Sequence, residues 1–306
     1  MHSIKVKSPA TLSNLCCGFD ILGMALNEPY DIIELIKKEE SGILIKHKDS
    51  YQLPADPKVN ISGVALQAMM DSLNYEQGFE LVIDKKIKPG SGIGSSAASA
   101  AGVVVAANEL LGKPFNKKQL ISFAMEGEVL ASGSRHADNL APCIYGGLVL
   151  IRDTPSMDII FLNIPPLFIT IIHPQIEIKT SYAREILPKE ISLKNAVTQW
   201  ANVAGLVSGF MKNDYELIQR SLQDVIVEPV RSKLIPGFDD AKCKCLDAGA
   251  LGGGISGSGP SLFMLSETEA IARLVENEMK SVYNQIGIDY KTYVTTVANN
   301  GVELIK

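Results

Sequence analysis

Residues 89–102 read PGSGIGSSAASAAG, and this stretch carries the clearest chemistry in the chain. Gly90, Gly92 and Gly94 alternate, and Ser95 and Ser96 then enter an alanine-rich helix predicted over 95–111. Small residues let backbone amides approach a ligand closely, and the free N–H groups of a helix start attract an anion. Two hydroxyls at the same point can bond a phosphate or reach its metal ion. The stretch reads as a phosphate site built without lysine. The common phosphate loop GxxxxGK[ST] does not occur. A dinucleotide fingerprint wants glycine three positions after Gly94, where Ala97 stands, and Phe115–Ser122 offers no strand bearing an acidic ribose ligand. A purely structural turn is the competing reading.

A second loop, residues 249–260, reads GALGGGISGSGP. So many glycines imply backbone conformations or close contacts that side chains forbid. Apolar segments flank the loop, which favours a place beside a ligand over a flexible linker. Between the two loops, residues 126–147 read EGEVLASGSRHADNLAPCIYGG and gather Glu126, Glu128, Arg135, His136, Asp138 and Asn139. Glu126 and Glu128 are two apart, so on a helix only one of them faces a site. A carboxylate near polyphosphate suits hard Mg²⁺, and His136 and Asp138 could orient a substrate or handle its proton. The histidines are His2, His47, His136 and His173, with no HExxH and no close Cys/His cluster, so zinc hydrolysis is disfavoured.

The elements that position these residues follow from periodicity. Strands are predicted at 4–6, 32–36, 43–46, 79–83, 148–151, 159–164, 168–172, 262–265 and 293–298. Residues 9–18 read as a loop and 39–42 as the turn between two strands. Helices are predicted at 60–73, with Asn60 as cap, and at 95–111, 117–130, 195–211, 215–225 and 267–286. This mixture lacks regular βαβ spacing and points to an α+β protein rather than a doubly wound sheet. A boundary near 155–172 divides the chain into 1–155 and 156–306.

At 306 residues with 46% hydrophobic and 21% charged residues, the chain has ample material for a core and is no disordered tail. A net charge of -5 without a Lys/Arg-dense tract beyond short runs such as Lys85–Lys86 disfavours nucleic acid as partner. No apolar run reaches the roughly 18 residues of a membrane span. The opening residues lack the apolar centre of a secretion signal, and five cysteines without paired CxxC units read as reduced thiols of a cytoplasmic protein.

Taken together, these segments resemble the GHMP family of small-molecule kinases. Three blocks appear in order: SPATLSNLCCGFDILGMAL at 8–26, GSGIGSSAASAAG at 90–102 and LGGGISGSGPSLFML at 251–265. Further stretches, at 131–147, 179–188 and 224–238, are similar to the branch that phosphorylates the amino acid homoserine in threonine biosynthesis. The resemblance implies a two-lobed fold, with a left-handed βαβ unit in the N-terminal lobe and a ferredoxin-like C-terminal lobe. It implies ATP between the lobes, with Pro89, Gly90, Ser91, Gly92, Ile93, Gly94, Ser95 and Ser96 around its phosphates and Asn60 bordering its base. By matched position, Ser96 and Glu128 resemble the Mg²⁺-associated pair, and Asn14, Asp20, His136, Thr180, Arg184 and Arg231 resemble contacts to L-homoserine. Those types suit a zwitterion: guanidinium groups grip a carboxylate, and an aspartate with an amide oxygen receives an ammonium. Asp138 is a candidate base, with support of the loop as its other reading. A homodimer is what the family suggests. Cys16 stands where the block usually has glycine, Leu12 where it has a small residue, and Pro89 one position late. The alternatives are a GHMP kinase for another small alcohol, or a metabolite-binding protein on the same scaffold.

Overall fold

The computed structural model describes residues 2–133 and 135–305; Ser134, within the stretch 131–147, lies outside them. The chain runs β1 (Ser3–Ser13), β2 (Leu22–Lys38), β3 (Ile43–His47), α1 (Ile61–Leu73), β4 (Gly78–Asp84), α2 (Ser95–Leu110), α3 (Lys117–Ser132), α4 (Leu140–Tyr145), β5 (Leu148–Asp153) and β6 (Asp158–Leu162). It continues with β7 (Phe168–Pro174), α5 (Thr180–Glu185), α6 (Leu193–Lys212), α7 (Tyr215–Ser221), α8 (Glu228–Arg231), α9 (Phe238–Asp247), β8 (Gly252–Ile255), β9 (Leu262–Ser266), α10 (Glu269–Ile286), β10 (Tyr290–Thr296) and β11 (Glu303–Leu304).

The first sheet has the order β11-β1-β2-β4-β3, with β5 on the early part of β2 and β6 on β5. The long β2 makes this possible: Leu22–Met24 pair with β5, and Ile32–Lys38 pair with β4. β3 and β4 are parallel, and α1 crosses between them as the βαβ unit. The turn predicted at 39–42 therefore does not join paired neighbours, because β4 lies between β2 and β3. The loop predicted at 9–18 is also shorter than expected. β1 runs through Pro9 to Ser13, with the proline tolerated at a register shift between Pro9 and Thr11.

The second sheet is antiparallel, in the order β10-β7-β9-β8. Its residues alternate as a two-sided sheet requires. Ile169, Ile171, Phe263 and Leu265 face the main core, and Ile172, Leu262 and Met264 face a second cluster under α9 and α10. The boundary drawn at 155/156 falls inside the β5–β6 hairpin, and β11 returns to the first sheet. α2 is alanine-rich because it is buried on nearly every side: Gly102 comes so close to β1 and β2 that a Cβ there would lie 2.4 Å from Ile33 and 3.0 Å from Ser8. This burial fixes the start of α2, and the start of α2 is where the glycine loop ends.

Candidate active site

A cleft of about 350 Å³ is lined by both glycine loops and by nearly every residue singled out from sequence. Asn14, Asp20, Asn60, Pro89, Gly90, Gly92, Gly94, Ser95, Ser96, Glu128, His136, Asp138, Thr180, Arg184 and Arg231 all border it. Ser91 and Ile93 do not. Ile93 is 1% exposed within the core, and the Ser91 carbonyl accepts a hydrogen bond from Ser261 Oγ at 2.6 Å. An alternating loop exposes every second residue, so glycines and not their neighbours face the cleft.

At one end the wall is backbone. Gly90, Gly92 and Gly94 have φ of 73°, 82° and 69°. Gly92 is held against the second loop: a Cβ there would lie 2.7 Å from the carbonyls of Ser256 and Gly259, and Ser256 Oγ donates to Gly92 O at 2.7 Å. Gly94 caps α2 and has no side chain to bond its first N–H groups, so the cap itself leaves them for an anion. The two leading serines divide their work. Ser95 Oγ donates to Ile87 O at 2.9 Å, whereas the Ser96 hydroxyl bonds Glu128. Desolvation pushes the Glu128 carboxyl up to about 7, against the Ser96 bond and the charge of Lys85. Glu126 instead meets Arg135 outside the cleft, so of the two glutamates only Glu128 faces inward. Asn60 lines the cleft, but its side chain is engaged. Its Oδ1 accepts from Ser62 N and Gly63 N at 2.9 and 3.2 Å, capping α1 as the sequence suggested, and its Nδ2 donates to Pro54 O.

Lys85 is what sequence reading passed over. Its ammonium donates to Asp31 Oδ2 at 2.7 Å, Ser95 O at 2.8 Å and Ser99 Oγ at 2.7 Å, satisfying all three of its protons. The other Asp31 oxygen accepts from Lys86 N and Ile87 N. This buried pair ties the end of β4 to the first turn of α2. The available signal was the place of Lys85 at the end of a strand leading into the glycine loop, which a count of short basic runs ignores.

At the other end the wall is side-chain charge. Asp20 is bridged through both oxygens by one Arg184 nitrogen, at 2.8 and 3.0 Å, and lies 3.8 Å from His136 Nδ1. Arg231 is 3% exposed and donates to Ala183 O and Gly257 O at 2.8 and 3.0 Å. Burial, and then the charge of Arg184, lower its pKa to about 10. Burial likewise lowers that of His136, partly offset by Asp20. Asp138 is 3% exposed, and burial with the nearby Asp20 charge raises its carboxyl to about 7 against a bond from Ser13. Thr180 and Arg184 share the short α5, and Thr180 Oγ1 lies 3.2 Å from Ser258 Oγ of the second glycine loop. Asn14 is engaged in the frame: its Oδ1 accepts from Asp20 N at 3.0 Å and its Nδ2 donates to Gly257 O at 2.8 Å.

The chain is similar to known proteins over its whole length. The family model for the GHMP kinases N terminal domain matches residues 60–147, and that for GHMP kinases C terminal matches 206–285. A homoserine kinase of Chlorobium phaeobacteroides (strain BS1) is 43% identical, with 100% of each chain covered. One from Methanocella arvoryzae is 39% identical, over 100% of this chain and 98% of its own. Among solved structures, a homoserine kinase from Cytophaga hutchinsonii superposes with a TM-score of 0.96 at 49% identity, covering 100% of this chain and 98% of that one. A mevalonate kinase from L. major, at TM-score 0.75 and 16% identity over 96% and 95% of the chains, shares the fold.

Proposed function

Given that this chain belongs to the GHMP kinase family, with ATP as its phosphoryl donor, we propose that it transfers the γ-phosphoryl group of ATP to the side-chain hydroxyl of L-homoserine, releasing O-phospho-L-homoserine and ADP. The observation that carries the substrate is the convergence of Asp20, Arg184 and Arg231 at one end of a cleft whose other end is a bare helix N-terminus. A neutral alcohol has no use for that set of charges, whereas a zwitterion has one for each. The product is a step toward threonine. We assign ATP binding to a lobe of residues 1–155 and much of the substrate grip to 156–306, with β6 and β11 of the first sheet supplied from beyond the boundary. We further propose a cytoplasmic homodimer; among the described residues, no helix is long and apolar enough to cross a membrane.

In this reading the N–H groups at the start of α2 receive the phosphates, and Gly90, Gly92 and Gly94 let the backbone approach them. The Ser96 and Glu128 oxygens form a hard donor pair at that point. Among the described residues no group of three or more His, Cys, Asp or Glu gathers for a metal. So small a donor set fits Mg²⁺, which binds through one or two protein oxygens together with phosphates and water. Mg²⁺ held there would neutralise charge on the transferred group. Arg184 and Arg231 hold the substrate carboxylate, Asp20 its ammonium, and His136 and Thr180 flank them. Asn14 acts mainly by fixing Asp20. A carboxyl near 7 suits Asp138 to accept the hydroxyl proton. Its Ser13 bond favours a second reading, in which Asp138 only supports the loop.

The test is ADP release with ATP, Mg²⁺ and a panel of L-homoserine, L-serine, L-threonine, mevalonate and galactose, with product confirmed by mass. Turnover confined to L-homoserine is expected. Turnover confined to another alcohol would keep the family and move the substrate. Silence across the panel with ATP still bound would overturn the assignment in favour of binding alone.

A further inference from the structure

Arg184 and Arg231 come from different helices, α5 and α8, yet both stand over one aromatic ring. Their guanidinium carbons lie 5.3 and 5.2 Å from the centre of Phe19. Two cations gathered on one ring repel each other, and Arg231 is too buried for water to screen it well. Asp20 balances Arg184 directly. Arg231 donates to the neutral carbonyls of Ala183 and Gly257, and the carboxylates of Asp20, Asp224 and Asp138 act on it only through space. Both guanidinium groups lie within cation–π range of the Phe19 ring, whose face carries the negative end of the ring quadrupole.

The ring is itself held firmly. Asn14, Leu15, Cys16 and Asp20 have φ of 71°, 40°, 68° and 62°, a strained backbone for residues other than glycine. Asn14 closes this turn onto Asp20 N and ties it to Gly257 O, the carbonyl that also takes Arg231 NH1. A strained loop, an amide clamp and one shared carbonyl thus fix the phenyl ring in the cleft wall, beside the acid and close to both guanidinium groups.

We propose that Phe19 is a positioning residue for the carboxylate grip: its ring holds Arg184 and Arg231 side by side, and so sets the affinity for substrates that carry an α-carboxylate. This rests on the amino-acid reading above. Without the ring the two guanidinium groups move apart, and a two-point grip on the carboxylate becomes a one-point grip. The phosphate end shares the second glycine loop with this end, through Ser256 and Gly92, but its own N–H groups and Lys85 make no contact that runs through the ring.

Phe19→Leu keeps an apolar side chain and removes the ring; Phe19→Tyr keeps the ring. Two readouts separate the cases: KM for L-homoserine against KM for ATP, and the side-chain NMR signals of Arg184 and Arg231 in ligand-free protein, where a guanidinium over a ring is shifted upfield. Phe19→Leu is expected to raise KM for L-homoserine about tenfold. It should leave KM for ATP within about twofold, in keeping with a local stacking contact, and remove the upfield shifts. Phe19→Tyr should keep all three close to the native values. Equal loss of L-homoserine affinity in both variants, or KM for ATP rising in step, would overturn the proposal in favour of a packing role. An unchanged KM for L-homoserine with the shifts gone would overturn it too. If the native protein takes no amino acid, the amino-acid reading fails by itself. The NMR arm then decides the platform: shifts lost in Phe19→Leu and kept in Phe19→Tyr uphold it, and unchanged shifts overturn it.

Discussion

The two ends of the cleft are built on opposite plans. In the proposed function the phosphate end is local: one run of glycines delivers the chain to a helix start, and the recognising groups are backbone N–H. The amino-acid end is assembled from distant stretches, with Asp20 before β2, Asp138 before α4, Arg184 on α5 and Arg231 on α8. Its recognising groups are side chains that must be held against one another's charge. A backbone site is damaged by adding atoms, because it works through the absence of a Cβ. A side-chain site is damaged by removing them. The two ends should therefore fail in different ways and separately.

The sharpest separation comes from Gly94→Ala. At φ 69° an alanine is strained, and its Cβ would lie 2.0 Å from Thr11 Oγ1, which donates to Asn139 Oδ1 at 2.7 Å. The start of α2 has to move, and misplacement of about 1 Å costs on the order of 100-fold in rate. We expect kcat/KM for ATP to fall by about that factor, while equilibrium binding of L-homoserine shifts less than about threefold. Gly112→Ala is the control: φ is 83° and a Cβ there, away from the cleft, meets nothing within 4 Å, so the strain comes without the clash. A Gly112→Ala loss as large as that of Gly94→Ala, or an equal loss of L-homoserine binding in Gly94→Ala, would break the distinction.

The same contrast explains what the sequence could reveal. The phosphate end was readable because a backbone site writes itself into consecutive residues: alternating glycines, two serines, then alanines. Asn60 was readable for a similar reason, since a cap acts within one turn. The longer helices, α1, α2, α3, α6 and α10, appear within a few residues of their predicted bounds; α2, buried on nearly every side, was readable from its run of alanines rather than from periodicity. The short α4, α5 and α8 escaped, because six or fewer residues carry too little periodicity to register. α9, with an apolar face of only a few residues, and the glycine strand β8 escaped as well. At the amino-acid end, resemblance supplied the charged residues, but nothing local announced their framework. The Lys85–Asp31 pair joins strands 54 positions apart, and Asn14 meets Gly257 across 243. Phe19 was invisible as a platform because its partners come from two helices that short-range patterns do not reveal.

Asp138 offers a medium effect, from the pH dependence of stability. Its carboxyl titrates near 7 in the fold, chiefly through burial, and near 3.9 when unfolded. The folded pKa is raised, so the contribution of this group to stability is fully present below about pH 4 and is lost as pH rises toward 7. Asp138→Asn cannot ionise and escapes that loss. Between pH 5 and pH 8 the variant should gain on the native protein by roughly 2 kcal/mol in denaturant unfolding. A flat difference over that range would mean that Asp138 is ionised in the fold, and would remove the basis for a proton acceptor near neutrality. Native kcat should rise through pH 7 if Asp138 takes the proton, and Asp138→Asn should lower it about 100-fold. A variant that keeps its rate leaves Asp138 as support for the loop.

The smallest effect tests the strain itself. Cys16 occupies φ 68° at 4% exposure, in the position where the resembling sequence block usually carries glycine. Glycine there relieves about 1–2 kcal/mol of left-handed strain. It returns about 0.5–1 kcal/mol through the freer unfolded chain and gives up the buried thiol, worth about 1 kcal/mol. Cys16→Gly should therefore stay within about 1 kcal/mol of the native protein. Cys16→Ala loses the thiol and keeps the strain, so it should be less stable than Cys16→Gly by about 1 kcal/mol, the reverse of the usual order for these residues. Denaturant unfolding of the two variants measures this directly. An alanine variant more stable than the glycine one would mean that the turn bearing Phe19 and Asp20 is not held under strain at Cys16. The rigidity of the amino-acid end would then rest on the Asn14 clamp and the Phe19 stack, and Asn14→Ala should loosen substrate binding more than any change at Cys16.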